Sequence, residues 1–288
     1  MKRDVAAGAA GDTVDDGITL LLAPNPSLMT GPGTNTYLVD GWSGGCVVVD
    51  PGPDIASHLA RIVATAAARG GLQAILVTHG HPDHVEGAAR LRELTGARVL
   101  AWSNDETGAV DATLADDKVV TVGGRRLRAL HTPGHRFDHL CFLLEDEGIV
   151  FAGDLVAGVG TVVIAPPEGD LTDYMASLER LLALDPRRIL PGHGPTIDDP
   201  RRLLTDYVAH RHARERQVLA ALAPDPRAVN ALVAEIYADV DPALHAAAAL
   251  SVTAHLLTLE REGRAVRVGT SVPNAPGDDL WRAANTPA

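Results

Sequence analysis

Cysteine is nearly missing from this chain. Cys46 and Cys141 are the only two in 288 residues, and both sit inside apolar runs, "CVVVD" and "LCFLL". They read as small buried hydrophobes in a reducing compartment, so neither a disulfide framework nor a thiolate metal site is expected, and the cytoplasm is the expected location. No run of about 18 apolar residues occurs, which argues against a membrane span. The opening "MKRDVAAGAAGDTVDDG" has two basic residues followed by acids and glycines, which does not match a secretory leader. Aromatic residues make up only 3% of the chain, too few to suggest a base-stacking surface. Basic residues are also short, at 25 against 37 acidic, for a net charge of −12. The imbalance is 15 against 27 in residues 1–199, and residues 200–288 are neutral at 10 against 10. An acidic main body argues against general nucleic-acid binding.

What the chain does have is apolar content, 46% of its residues, enough for one large domain and a small one. "CVVVD", "AILVT", "ARVLAW", "KVVTV", "RLRAL", "LCFLL", "GIVFA" and "RRILPGH" read as strands. Helical spacing is carried by Ile55, Leu59, Ile62, Val63 and Ala66, by Val85, Ala88, Leu91 and Leu94, and by Tyr174, Leu178, Leu181 and Leu182, with Asp170 as N-cap. Strands and helices in alternation predict a layered α/β domain over residues 1–208. From 209 to 288 the pattern is three helices and an alternating "RAVRVG" ribbon, similar to a small winged helix, and the Pro-rich end "SVPNAPGDDLWRAANTPA" is expected to be partly disordered.

Four apolar strands end in segments rich in histidine or aspartate: "THGHPDH" after "AILV", "HTPGH" after "RLRAL", "GD" after "GIVFA" and "PGH" after "RRIL". In an α/β sheet such strand ends gather along one edge, where sites form. His79 and His81, two apart, suit one side of a tight turn, while Asp83 and His84 open the next helix. Two sets of ligands suggest two metal ions. Imidazole and carboxylate without thiolate suit zinc, and iron or manganese fit the same donors. His58, His210, His212, His245 and His255 lie outside these motifs and read as ordinary polar positions.

Taken in order, the four motifs resemble the metallo-β-lactamase superfamily over roughly residues 18–199. The resemblance implies an αββα four-layer sandwich, with His79, His81 and His135 on one metal, Asp83, His84 and His193 on the second, and Asp154 as the bridge. Asp50 resembles the aspartate that supports the histidine loop, and Asn35 in "GTNTYLVD" and His139 in "HTPGHRFDH" are expected behind the metals or at the substrate. The winged-helix-like end points to the branch that includes single-strand endoribonucleases and acyl thioesterases. Asp154 stands where true β-lactamases place a cysteine, which argues against antibiotic hydrolysis.

The implied chemistry is hydrolysis by a metal-activated hydroxide, with Asp83 orienting the nucleophile or moving its proton. The substrate carries an ester-type bond: a thioester, a lactone, or a phosphodiester in single-stranded RNA. A glyoxalase II-like thioesterase is one alternative, and a mononuclear iron oxidoreductase of sulfur compounds is another. The C-terminal part is expected to cap the cleft, form a homodimer contact or bind DNA.

Overall fold

The structure, a computed structural model, describes residues 11–104, 110–270 and 279–284. Among these the chain divides into two compact units, the first formed by Met1–His131, Asp138–Gly160 and Asp185–Pro200, the second by Thr132–Phe137, Thr161–Leu184 and Arg201–Ala288. The second unit thus includes two internal segments, 132–137 and 161–184, besides the C-terminal part.

The first unit contains two sheets. One has seven strands in sequence order: β1 (Asp12–Asp15), β2 (Ile18–Leu22), β3 (Asn35–Asp40), β4 (Cys46–Val49), β5 (Leu72–Leu76), β6 (Arg98–Ala101) and β7 (Ala112–Thr113). Pairing is antiparallel as far as β4 and parallel from β4 to β7, so helices α1 (Ala56–Ala67), α2 (Pro82–Val85) and α3 (Gly87–Thr95) serve as crossovers. The second sheet runs β12 (Arg188–Pro191), β11 (Ile149–Gly153), β10 (Leu140–Leu144), β9 (Arg125–His131) and β8 (Val119–Val122).

Alternation along the strands builds the core. Tyr37, Val47, Val49 and Leu76 pack with Leu127, Phe142, Phe151 and Leu190 of the other sheet. Their neighbours Leu38, Val48, Ile75 and Val77 point the opposite way, onto Leu59, Ile62 and Leu91 of α1 and α3. Both faces of these central strands are apolar for that reason. Helix, sheet and sheet make three of the four expected layers within this unit, and Cys46 and Cys141 are free and buried. Burial pushes the Cys46 thiol up to about 12. Removing the Phe151 ring would cost about 3–5 kcal/mol on the usual scale of core truncations.

The hairpin β1–β2 is held by an unexpected clamp. Arg125 is buried, and its guanidinium donates to the carbonyls of Asp16 (2.8 Å), Gly17 (3.3 Å) and Asp40 (3.3 Å) and pairs with Glu147 at 2.8 Å. Gly17 turns with φ +63, and a Cβ there would meet Arg125 Nη1 at 2.6 Å, so glycine is required on both counts.

The second unit holds α4 (Leu171–Leu184), capped as expected by Asp170 Oδ1, which accepts from the amides of Thr172 (2.8 Å) and Asp173 (3.2 Å). It continues through α5 (Pro200–Ala221), β13 (Arg227–Ala228), α6 (Val229–Ile236), α7 (His245–Arg261), β14 (Ala265–Thr270) and β15 (Asp279–Ala283). Residues 279–283 add a strand between β13 and β14 and bury Trp281 against Val229, Leu232 and Val252, while residues 271–278 and 285–288 lie outside the described residues. The stretch Pro242–Arg261 is long and apolar enough by composition to cross a membrane, unlike the reading from apolar runs. Val252, Leu256 and Leu259 on it are fully buried in this unit's core.

His58 of α1 is fully buried, with Nε2 3.0 Å from Thr36 Oγ1. Burial, aided by the charge on Arg61, lowers its pKa to about 4. The unfolded chain therefore takes up a proton near pH 6.5 that the folded chain refuses, so stability falls as pH drops from about 6.5 to about 4, by on the order of 3 kcal/mol. Urea unfolding at several pH values should show this slope in the wild type and a flatter one in His58→Gln, and equal slopes would reject it.

Candidate metal centre

The site of the first unit is built where β4, β5, β11 and β12 end. Asp50 follows β4 in a left-handed conformation, φ 53, and is almost fully buried. Its Oδ1 accepts from the Thr78 amide and its Oδ2 from the Thr78 hydroxyl, both at 2.8 Å, and Oδ2 also lies 2.8 Å from His84 Nδ1. Because the Thr78 hydroxyl gives its proton to Asp50, it accepts from Nδ1 of His79, 3.0 Å away. Asp50 thus orients His84 directly and His79 through one hydroxyl, turning the Nε2 atom of each away from the carboxylate.

Two groups of ligand-type atoms result. His79, His81 and Asp154 bring one such atom each within 4.8 Å of one another, and Asp83, His84 and His193 do the same. His79 Nε2 lies 2.9 Å from His81 Nδ1, and His84 Nε2 lies 3.3 Å from His193 Nε2. Asp83 Oδ2 is 3.5 Å from His84 Nε2 and 3.3 Å from His193 Nε2, and Asp154 Oδ1 is 3.6 and 3.5 Å from the same nitrogens. Asp154 is therefore common to both groups. His135 belongs to the 132–137 segment of the second unit, where its Nδ1 lies 2.9 Å from the Val163 carbonyl oxygen.

Each ligand-type residue has a support behind it. Asp83 Oδ2 accepts from the Thr34 hydroxyl at 2.9 Å, and His193 Nδ1 donates to the Gly33 carbonyl at 3.4 Å. The Gly80 amide donates to Asp138 Oδ2 at 2.8 Å, fixing the turn between His79 and His81. The amide of Asp154 donates to Nε2 of the fully buried His139 at 3.1 Å. Asn35 is 2% exposed, and its side-chain amide donates to the carbonyls of Pro191 and Gly194, both at 2.9 Å, around His193. Tyr37 also donates to the Pro191 carbonyl, at 2.8 Å. Thr34 and Tyr37 lie within "GTNTYLVD" and Asp138 within "HTPGHRFDH", but those segments do not reveal their roles, which depend on partners about 50 to 150 positions away.

The electrostatics follow from three carboxylates facing four imidazoles. Burial opposes ionisation of Asp83, but the hydrogen bond from His193 and the charge of His84 outweigh it and hold the carboxyl at about 2. Burial likewise disfavours the charged form of His193, and hydrogen bonds to Asp154 and Asp83 reverse this and raise it to about 9. The buried His84 is raised well above its ordinary range by Asp154 and Asp50 against its desolvation, and Asp154 is held well below the carboxylate range by His84 and His193. Without metal His84 and His193 favour their protonated forms as counter-charge, and bound cations would take the place of those protons. The donor set, nitrogen and oxygen only with supported rear atoms, fits a pair of divalent cations.

Gly192 shows how closely backbone approaches these groups. A Cβ built there would lie 2.6 Å from Asp154 Oδ1 and 2.7 Å from His84 Cε1. Gly192→Ala should therefore displace Asp154 or His84 and weaken metal binding at least about tenfold, the scale of losses at supporting positions, with far-ultraviolet circular dichroism unchanged. Full metal content in a folded Gly192→Ala protein would contradict this packing.

Comparison with known proteins agrees with the geometry. Residues 29–193 match the family described as "Metallo-beta-lactamase superfamily", and residues 228–272 match "Beta-lactamase associated winged helix domain". The chain is 34% identical over 275 residues to the beta-lactamase-like protein 2 homolog of Drosophila melanogaster, covering 87% of this chain and 90% of that one. It is 34% identical over 217 residues to an atrochrysone carboxyl ACP thioesterase of Aspergillus fumigatus, covering 73% and 66%. A beta-lactamase domain protein from Burkholderia ambifaria has the same fold, with a TM-score of 0.81, 24% identity and coverage of 96% and 94%. This chain belongs to the metallo-β-lactamase superfamily, as a metallo-hydrolase with an appended β-lactamase-associated winged helix domain.

Proposed function

We propose that the chain hydrolyses an acyl thioester at a dinuclear zinc centre. The observation that carries this reading is the rim around His193. Thr34 forms a β-bridge with His193, and the Gly158 amide donates to the His193 carbonyl at 2.9 Å, so the loops 24–33 and 155–160 both flank the second group of ligands. They present Leu28, Met29 and Val159 at 77%, 60% and 77% exposure and contain no lysine or arginine. An apolar, uncharged rim suits an acyl chain, whereas a phosphodiester track needs cations. A relative named as a carrier-protein thioesterase supports the same substrate class.

In this reading His79 and His81, with His135 assigned from the "HTPGH" motif, would hold one ion, and Asp83, His84 and His193 would hold the other, with Asp154 available to both. When bound, such a pair supplies Lewis-acid polarisation of the thioester carbonyl and acidifies the attacking water. The chain's own part is positional. Asp50 fixes two imidazoles, Thr34 fixes Asp83 Oδ2, and Asp83 offers an ionised acceptor that orients the attacking water through its proton. Water adds to the carbonyl carbon, the carbon–sulfur bond breaks, and the products are a carboxylic acid and a thiol.

The test combines elemental analysis with turnover. About two zinc ions per chain are expected, falling to about one or fewer in Asp154→Ala, with hydrolysis of medium-chain acyl thioesters lost in parallel. Met29→Lys should keep the metal and lower kcat/KM for those thioesters by about tenfold, through loss of rim contact. One iron per chain with sulfur oxidation and no hydrolysis would overturn the proposal, as would cleavage of single-stranded RNA without any thioesterase activity.

A further inference from the structure

We propose that a cavity in the second unit, lined by none of the metal-ligand residues, is a binding site for a small oxyanion, a carboxylate or phosphate group. The cavity, of about 170 Å³, lies among α4, α5 and α7 and is lined by Thr172, Met175, Arg211, Glu215 and His255 among others. A single water needs only about 10–15 Å³, so a larger guest fits.

Two buried groups in its wall lack what they need. His255 is 1% exposed, and neither ring nitrogen has a hydrogen-bond partner among the described residues. A buried imidazole in that state forfeits the hydrogen bonds it would make to water, and such groups normally have a partner. Arg211 is 4% exposed. Its Nη2 donates to the Val162 carbonyl at 2.6 Å and its guanidinium lies 4.9 Å from the centre of the Tyr174 ring, but among the described residues Nε has no partner and no carboxylate forms an ion pair with it. Buried arginines stay charged and are normally paired.

The surrounding charge specifies the sign of the guest. Burial and the positive charges of Arg211 and Arg214, with His210 and His212 beyond them, push His255 down to about 3, so the neutral imidazole sits in a cationic field. The two acids of the wall do not answer that field, because Glu215 and Glu262 both accept from Arg264 Nη1, at 2.6 and 2.8 Å. An oxyanion would give Arg211 its counter-charge and His255 an acceptor for its N–H.

The experiment is a histidine side-chain NMR titration of the full chain with sodium phosphate and, separately, sodium acetate, using sodium chloride as the ionic-strength control. The His255 signal is identified by its loss in His255→Asn. A saturable His255 shift at millimolar phosphate or acetate is expected, persisting in His193→Ala and weakened at least about tenfold in Arg211→Lys. The stronger of the two probes identifies the headgroup. If either variant fails to fold, the site is decided by phosphate- or acetate-dependent rise of the wild-type and His193→Ala melting temperatures over chloride. No saturable response to either probe, the same response to chloride, or a response abolished by His193→Ala would overturn the site.

Discussion

One buried carboxylate organises the metal centre. Asp50 ends β4 and reaches across to β5 and α2, accepting from the Thr78 amide, the Thr78 hydroxyl and His84. An isolated buried anion would be very costly, and three donors make this one tenable. The same bonds set which nitrogen of each imidazole faces the site, so the alignment of two parallel strands and the chemistry at their ends rest on one side chain. Its left-handed backbone, φ 53, shows that the turn is shaped for this reach.

The supports behind the ligands follow a second pattern: polar side chains around one strand hold main-chain carbonyls and a carboxylate far away in sequence. Asn35, Tyr37 and Thr34 stand on β3 or just before it, and all engage residues around His193 or Asp83. β3 and β12 lie in different sheets. The site is thus stitched at the open edge of a sandwich whose interior is packed mainly from apolar side chains. Glycines 153 and 192 let backbone come within side-chain distance of Thr78, His139, Asp154 and His84.

Much of this was legible in the residues. The strands ending in "THGHPDH", "GD" and "PGH" were visible because ligand-rich segments follow apolar runs, and the structure gathers them along one edge. The cap at Asp170 also follows from local chemistry. What escaped was non-local. The β1–β2 hairpin is short and acidic and depends on Arg125, more than 100 residues away. Asn35 could be read as standing behind the metals or at the substrate, and only its partners, 156 and 159 positions on, give it the supporting role. Trp281 sits in a stretch rich in proline and glycine, and only pairing with β13 and β14 makes that stretch a strand. His255 looked ordinary because a missing partner leaves no mark in a sequence.

The chain passes between its two compact units five times, at 131/132, 137/138, 160/161, 184/185 and 200/201. A ribosome that has released residues 1–160 has not yet made β12, the edge strand of the second sheet, nor the histidine that follows it. Neither unit is a contiguous stretch of the gene, so recombination at any one point inherits parts of both. Shuffling can exchange the winged helix module within the second unit, but the unit itself has to travel, and evolve, with the metal-bearing body.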